Sequence, residues 1–303
     1  MEKLRAVIEV GANSVKFLAA RKESGRVEIL EDVVRVARLA EGMKDTGLIS
    51  PGAMERNAAL VAEFAARARE MGAEAVAVGA MGLRAALNAP QFIEKVRELT
   101  GLNLRVISGE EEARLSYRAA MSSLPGCGGR GAVFDTGGGS TEVIWGEGER
   151  LLRAVSLPVG AASVTEEFFS DDPVPASALE AAAGKLKMVL GRGGVTAAGG
   201  PVAGVGGAAT TLASVKLGLK EYDAGAAGGT TLNLGELGEM AKLFASRTLE
   251  ERKKIPGLAP DRAGIILAGT AIVTAVLKAL EADAFTVSAK GLRHGLMEEL
   301  LDG

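Results

Sequence analysis

The chain has one cysteine, Cys127, and one histidine, His294, in 303 residues. A single cysteine excludes a disulfide within the chain and fits a reducing compartment. One Cys and one His cannot furnish an ordinary zinc site, and a Ser-His-Asp triad would rest wholly on His294. Chemistry therefore falls to carboxylates, a metal ion or basic side chains. Long apolar runs are also missing. No uncharged stretch of about 20 apolar residues could span a membrane. The N-terminal apolar segment is too short for a signal peptide, so a cytoplasmic protein is expected. Nor is there an excess of positive charge: 35 Lys and Arg stand against 38 Asp and Glu, a net charge of -3. That balance argues against a general nucleic-acid or anionic-membrane binder, and any polyanion needs a local basic pocket.

Glycine is what the chain has in excess, 41 residues, against a usual share of about 7%. Three of them, Gly137-Gly138-Gly139, interrupt Ala132–Gly146, which reads as an apolar strand, a tight turn and an alternating strand. Consecutive glycines are costly inside regular structure, but they let backbone N–H groups approach an anion such as phosphate. Asp135 and Glu142 flank the turn, and a carboxylate on each side suggests a divalent cation between protein and phosphate. The same pattern stands at Ala6–Phe17, where Glu9, Gly11 and Ser14 align without gaps on Asp135, Gly137 and Ser140. A repeat at a domain-sized offset predicts two homologous halves with a cleft between their loops. We place the boundary in the glycine-rich stretch 122–131, giving domains 1–124 and 125–303, with the final helix near 290–302 packing back on the first.

Between these landmarks strands alternate with helices, which predicts α/β layers with a mainly parallel core. Helices are expected at 51–71, 90–99, 108–121, 161–169, 176–190, 235–245, 248–254 and 290–301. A nearly all-apolar helix at 263–280 is expected to be buried between the halves. Strands are expected at 74–78, 104–107, 151–156 and 284–288. Ser108 and Glu111 form a capping-box pattern at one helix start. Val202–Leu212 is a second strand–glycine–helix junction, whose helix N-terminus suits an anion.

These stretches resemble the actin, sugar-kinase and heat-shock ATPase superfamily. Within it they are most similar to the exopolyphosphatase and guanosine pentaphosphate phosphohydrolase family. The resemblance is carried by Val106–Leu115, Phe134–Glu142, Ser156–Ala161, Gly204–Thr211, Pro256–Arg262 and Val287–Arg293. It implies two ribonuclease H-like (actin-like ATPase) domains related by duplication, with an interdomain active-site cleft. It also implies Mg2+ or Mn2+ as cofactor, polyphosphate or guanosine penta- or tetraphosphate as ligand, and a homodimer. Glu112 matches the family's water-activating glutamate and Arg84 its phosphate arginine. Read from the residues alone, Glu112 serves first as negative charge at a helix N-terminus, and Arg84 is as well read as an ordinary surface arginine. Asp135 and Glu142, with Glu9 in the first copy, match the metal-binding acids. Asn13, Ser14, Gly137, Gly138, Gly139, Ser140, Thr141, Gly206, Gly207, Lys290 and Arg293 are the phosphate-binding candidates.

Several residues depart from that family's pattern. The first loop begins with Glu9 where Asp is usual, and Ala12 lacks a hydroxyl. Gly79-Ala80-Met81 replaces a hydroxyl-bearing triplet, Gly264 an aspartate and Lys290 an arginine. The leading expectation is an exopolyphosphatase. A guanosine pentaphosphate phosphohydrolase, or a low-turnover binder of guanosine tetraphosphate-like ligands, is the alternative. An actin-like or sugar-kinase ATPase is disfavoured.

Overall fold

The computed structural model describes residues 3–122, 124, 128–221 and 223–302. Cys127 and part of the expected 122–131 linker lie outside them. The chain divides into two compact units, Met1–Ser116 with Leu292–Gly303, and Tyr117–Gly291.

The first unit is built on a five-stranded sheet. Its strands are β1 (Leu4–Val10), β2 (Ser14–Glu23), β3 (Arg26–Val36), β4 (Glu74–Gly79) and β5 (Leu104–Val106), in the order β3-β2-β1-β4-β5. Its helices are α1 (Met43–Thr46), α2 (Pro51–Glu70), α3 (Met81–Ala85), α4 (Ala89–Thr100) and α5 (Gly109–Met121), the last of which enters the second unit at Tyr117. The alternation of β1 and β2 sorts their side chains onto two faces. Ile8, Val10, Phe17 and Ala19 join the cluster beneath α2, where Phe17 stacks on Phe64 with ring centroids 5.3 Å apart. Val7, Leu18 and Ala20 face the other way, onto Leu115 of α5 and Leu292, Leu296 and Met297.

The second unit repeats the plan. Its strands are β6 (Arg130–Thr136), β7 (Thr141–Glu147), β8 (Arg150–Leu157), β9 (Val202–Val205), β10 (Thr231–Asn233) and β11 (Ala284–Val287). Their order is β10-β11-β9-β6-β7-β8, which, read from β8 with β10 set aside, matches the order of the first sheet. Read from β3 and from β8, both run through two antiparallel pairs and then two parallel ones. This is the duplicated actin-like ATPase topology. The helices are α6 (Ala161–Phe168), α7 (Ala176–Arg192), α8 (Gly206–Leu217), α9 (Ala224–Ala227), α10 (Leu234–Ala245), α11 (Leu249–Arg252) and α12 (Ile266–Ala279). The apolar helix expected at 263–280 is α12, and it is packed by α6, α7, α8 and α10 within this unit's own core. The final helix, α13 (Leu292–Asp302), packs on β1 and β2 of the first unit.

β3 is absent from the sequence expectations. Ala19 and Ala20 pair with Glu31 and Ile29, so Leu30 is a bulge. The extra residue breaks strict alternation, and with it the periodic signature of a strand.

Candidate functional site

The two hairpin turns are built alike. In each, the first glycine donates to the serine that ends the turn: Gly11 N to Ser14 O and Gly137 N to Ser140 O, both 2.9 Å. In each, a following segment ties down the turn's carbonyls. Ala40 N donates to Ala12 O, and Ala37 N and Arg38 N donate to Asn13 O; Ala161 N donates to Gly137 O and Ala162 N to Gly138 O. In the second unit the donors are the opening residues of α6, and the contact is close. A Cβ on Gly160 would collide with the Gly138 backbone. The N–H of Gly137 is thus spent inside the turn, whereas Gly138, Gly139 and Ser140 keep backbone N–H groups without a partner among the described residues. Those three are the donors the loop can offer an anion. The hydroxyl of Thr141 is already engaged. It is fully buried and donates to Val159 O at 2.7 Å, so its proton is not available to a ligand.

The copies differ in charge. Asp135 and Glu142 are direct cross-strand partners, which puts both carboxylates on one face of the sheet at close range. Glu142 Oε1 accepts from Ser156 Oγ at 2.8 Å. The equivalent pair in the first unit is Glu9 and Lys16, joined by a 2.6 Å ion pair. Burial raises the Glu9 proton affinity, but Lys16 and then Arg293 outweigh it and leave the carboxyl below its ordinary range. The first hairpin thus pairs an acid with a base across the ladder, whereas the second sets two acids side by side. Mg2+ is commonly held by one or two carboxylates plus substrate phosphates, so Asp135 and Glu142 fit such an ion. Glu9 already has its counter-charge in Lys16. Among the described residues no three His, Cys, Asp or Glu side chains gather as a self-contained metal site.

Beside Asp135 stands the second glycine junction. Gly206 opens α8 at φ 80°, a conformation that favours glycine, and a Cβ there would strike the Asp135 carboxylate. No side chain caps the first turn of α8, so the N–H groups at its positive end remain available to an anion. Arg262 closes the Pro256–Arg262 stretch and has no role in the expected site. Its guanidinium lies over this turn, with Nη1 3.1 Å from where a Cβ on Gly207 would be. The signal was present in the Pro256–Arg262 stretch, but nothing in its spacing ties it to Gly207, some 50 residues earlier in the chain.

In the first unit, Arg84 of α3 and Glu112 of α5 meet. Arg84 Nη2 donates to Glu112 Oε2 at 2.7 Å, and Nη1 donates to Ile107 O at 2.9 Å. Of the expected capping box, one half forms: Glu111 N donates to Ser108 Oγ, while the Glu111 carboxylate pairs with Arg105. The side chains of Asn13 and Ser14 make no hydrogen bond among the described residues. Arg293, a phosphate candidate in the sequence, binds within its own unit. Its Nε and Nη2 both bind Asp32 at 2.9 Å, and a buried guanidinium held in this fork clamps α13 to β3 instead of reaching for phosphate. His294 Nε2 lies 3.2 Å from the same carboxylate. Lys290, in the second unit, has its Nζ 3.5 Å from Ser122 Oγ near the end of α5.

No helix among the described residues is long and apolar enough to cross a membrane. The sequence profile of the Ppx/GppA phosphatase family matches residues 18–303. A guanosine-5'-triphosphate,3'-diphosphate pyrophosphatase of Vibrio atlanticus is 34% identical over 99% of this chain, which spans 59% of that relative's length. A crystal structure of the Aquifex aeolicus Ppx/GppA family member is similar at 32% identity and a TM-score of 0.91, covering 100% of this chain and 99% of its own. An exopolyphosphatase structure from Cytophaga hutchinsonii shares the fold, with a TM-score of 0.82 at 23% identity over 99% of this chain and 98% of its own. With matched glycine turns, an acidic pair at one of them and a family profile across most of its length, the chain belongs to the Ppx/GppA phosphatase family.

Proposed function

We propose that this chain hydrolyses the terminal phosphoanhydride bond of a guanosine pentaphosphate and releases orthophosphate. The observation that carries the reading is the acidic pair Asp135–Glu142 flanking a turn with free N–H donors, beside the uncapped start of α8. Phosphoryl transfer to water needs positioning and charge neutralisation more than covalent chemistry. Gly138, Gly139, Ser140, the first turn of α8 and Arg262 would hold phosphate oxygens. Asp135 and Glu142 would hold a divalent cation, Mg2+ or Mn2+, which supplies neutralisation of phosphate charge when bound. Glu112, at the start of α5, would take the proton of the attacking water.

The names of the curated relatives favour the nucleotide over inorganic polyphosphate. Orthophosphate release from guanosine pentaphosphate and from long-chain polyphosphate, each with Mg2+, tests the choice. The expected result is faster release from the nucleotide, falling about 100-fold or more in Glu112→Ala. Faster release from polyphosphate would restore the exopolyphosphatase reading. Activity unchanged in Glu112→Ala would remove the proposed base. Tight ligand binding with no release from either would leave a binding protein on this fold.

A further inference from the structure

The Arg84–Glu112 contact assigns Arg84 a task other than gripping phosphate. We propose that Arg84 is a positioning residue that fixes the carboxylate of Glu112 so that Oε1 faces the attacking water; this rests on the proposed hydrolytic function.

The guanidinium is held from two elements at once. Nη1 is fixed by the carbonyl of Ile107, just beyond β5, and Nη2 by Glu112 Oε2 in the first turn of α5. A fork pinned at one prong holds the plane of whatever the other prong binds. Glu112 Oε2 is occupied, and Oε1 has no hydrogen-bond partner among the described residues. A base held by one oxygen and free at the other has the arrangement in which a third group orients a catalytic base. The location also tells. Nη2 stands 3.7 Å from where a Cβ on Gly109, the opening residue of α5, would be. A cation at a helix N-terminus opposes the helix dipole, so this arginine does not sit there for the helix's benefit. Both side chains remain about a third exposed, 30% and 32%. An ion pair so exposed adds little stability, which leaves orientation as its principal effect.

Lysine keeps the charge and three donors but lacks the rigid planar fork that would fix the plane of the Glu112 carboxylate from Ile107 O. With guanosine pentaphosphate and Mg2+, Arg84→Lys is expected to lower kcat by about 10- to 100-fold, with KM changed less than about threefold. Because Arg84 acts through Glu112, adding Arg84→Lys to Glu112→Ala should cost less than about twofold more. Thermal unfolding of each variant separates these effects from loss of fold. A rise in KM at unchanged kcat would make Arg84 a phosphate clamp and overturn the proposal. Losses that multiply in the double variant would overturn it too. Absence of phosphate release by the wild type would instead overturn the functional reading on which it rests.

Discussion

At the scale of single residues, the decisive contrast is between Glu142 and Lys16, which occupy equivalent positions in the two hairpins. Two carboxylates directly opposite on a sheet repel, and a cation bound between them would offset that repulsion. Glu142→Gln keeps the Ser156 hydrogen bond and removes the repulsion. Metal-free protein should be as stable as wild type or more so, by up to about 1 kcal/mol. The Mg2+ concentration for half-maximal activity should rise about tenfold. Glu9→Gln should do the opposite, because it leaves Lys16 and Arg293 facing a neutral group in a buried site. A loss of about 3 kcal/mol is expected on thermal or urea unfolding, without change in the Mg2+ requirement. Asp32 gives a pH-dependent test. Burial pushes its carboxyl up, but hydrogen bonds from His294 and Arg293 and their charges bring it down to about 2. A carboxyl depressed from 3.8 to about 2 contributes stability that is complete above pH 3.8 and lost as pH falls through about 2. The shift corresponds to about 2 kcal/mol. The stability gap between wild type and Asp32→Asn should therefore hold at neutral pH and narrow by that amount across this acid window.

At the scale of elements, the turns depend on what packs behind them. Gly160→Ala would drive α6 off the Gly138 backbone, and overpacking of this kind costs about 1–3 kcal/mol. The larger expected effect is on ligand grip, since Ala161 and Ala162 tie the loop carbonyls through their positions in α6. Calorimetry should show nucleotide binding weakened about tenfold or more. This dependence was only partly legible in the sequence. The hairpins declared themselves because glycine turns between alternating runs have few other uses, and the acid, glycine and serine stood in register. Gly160 and Arg262 were visible only as members of quoted stretches, because close approach between distant segments leaves no periodic trace. The same limit explains Arg293. Its position beside the last helix matched a phosphate role, but Asp32, 261 residues away, takes the guanidinium. β3 escaped notice because the bulge at Leu30 shifts its alternation partway along.

At the scale of the whole molecule, the first unit is assembled from both ends of the chain. α13 supplies Leu292, Leu296 and Met297 to one face of its sheet, and Arg293 to Asp32. Burial of three such side chains contributes about 5–9 kcal/mol, comparable with the whole stability of an ordinary domain. A chain ending at Gly291 should therefore lose cooperative unfolding of the first unit, seen as missing amplitude in far-ultraviolet circular dichroism melts, while wild type keeps it. β3 has a consequence of another kind. It is an edge strand, and Val27, Ile29, Leu30, Val34 and Val36 are exposed along it. A long, flat edge of that composition is a template on which further strands add, the route to fibrils. The bulge at Leu30 kinks the template near its middle, and Asp32 interrupts the face that carries Val27, Ile29, Val34 and Val36. The irregularity that hid this strand from its own sequence pattern is thus also a device that works against the addition of further strands.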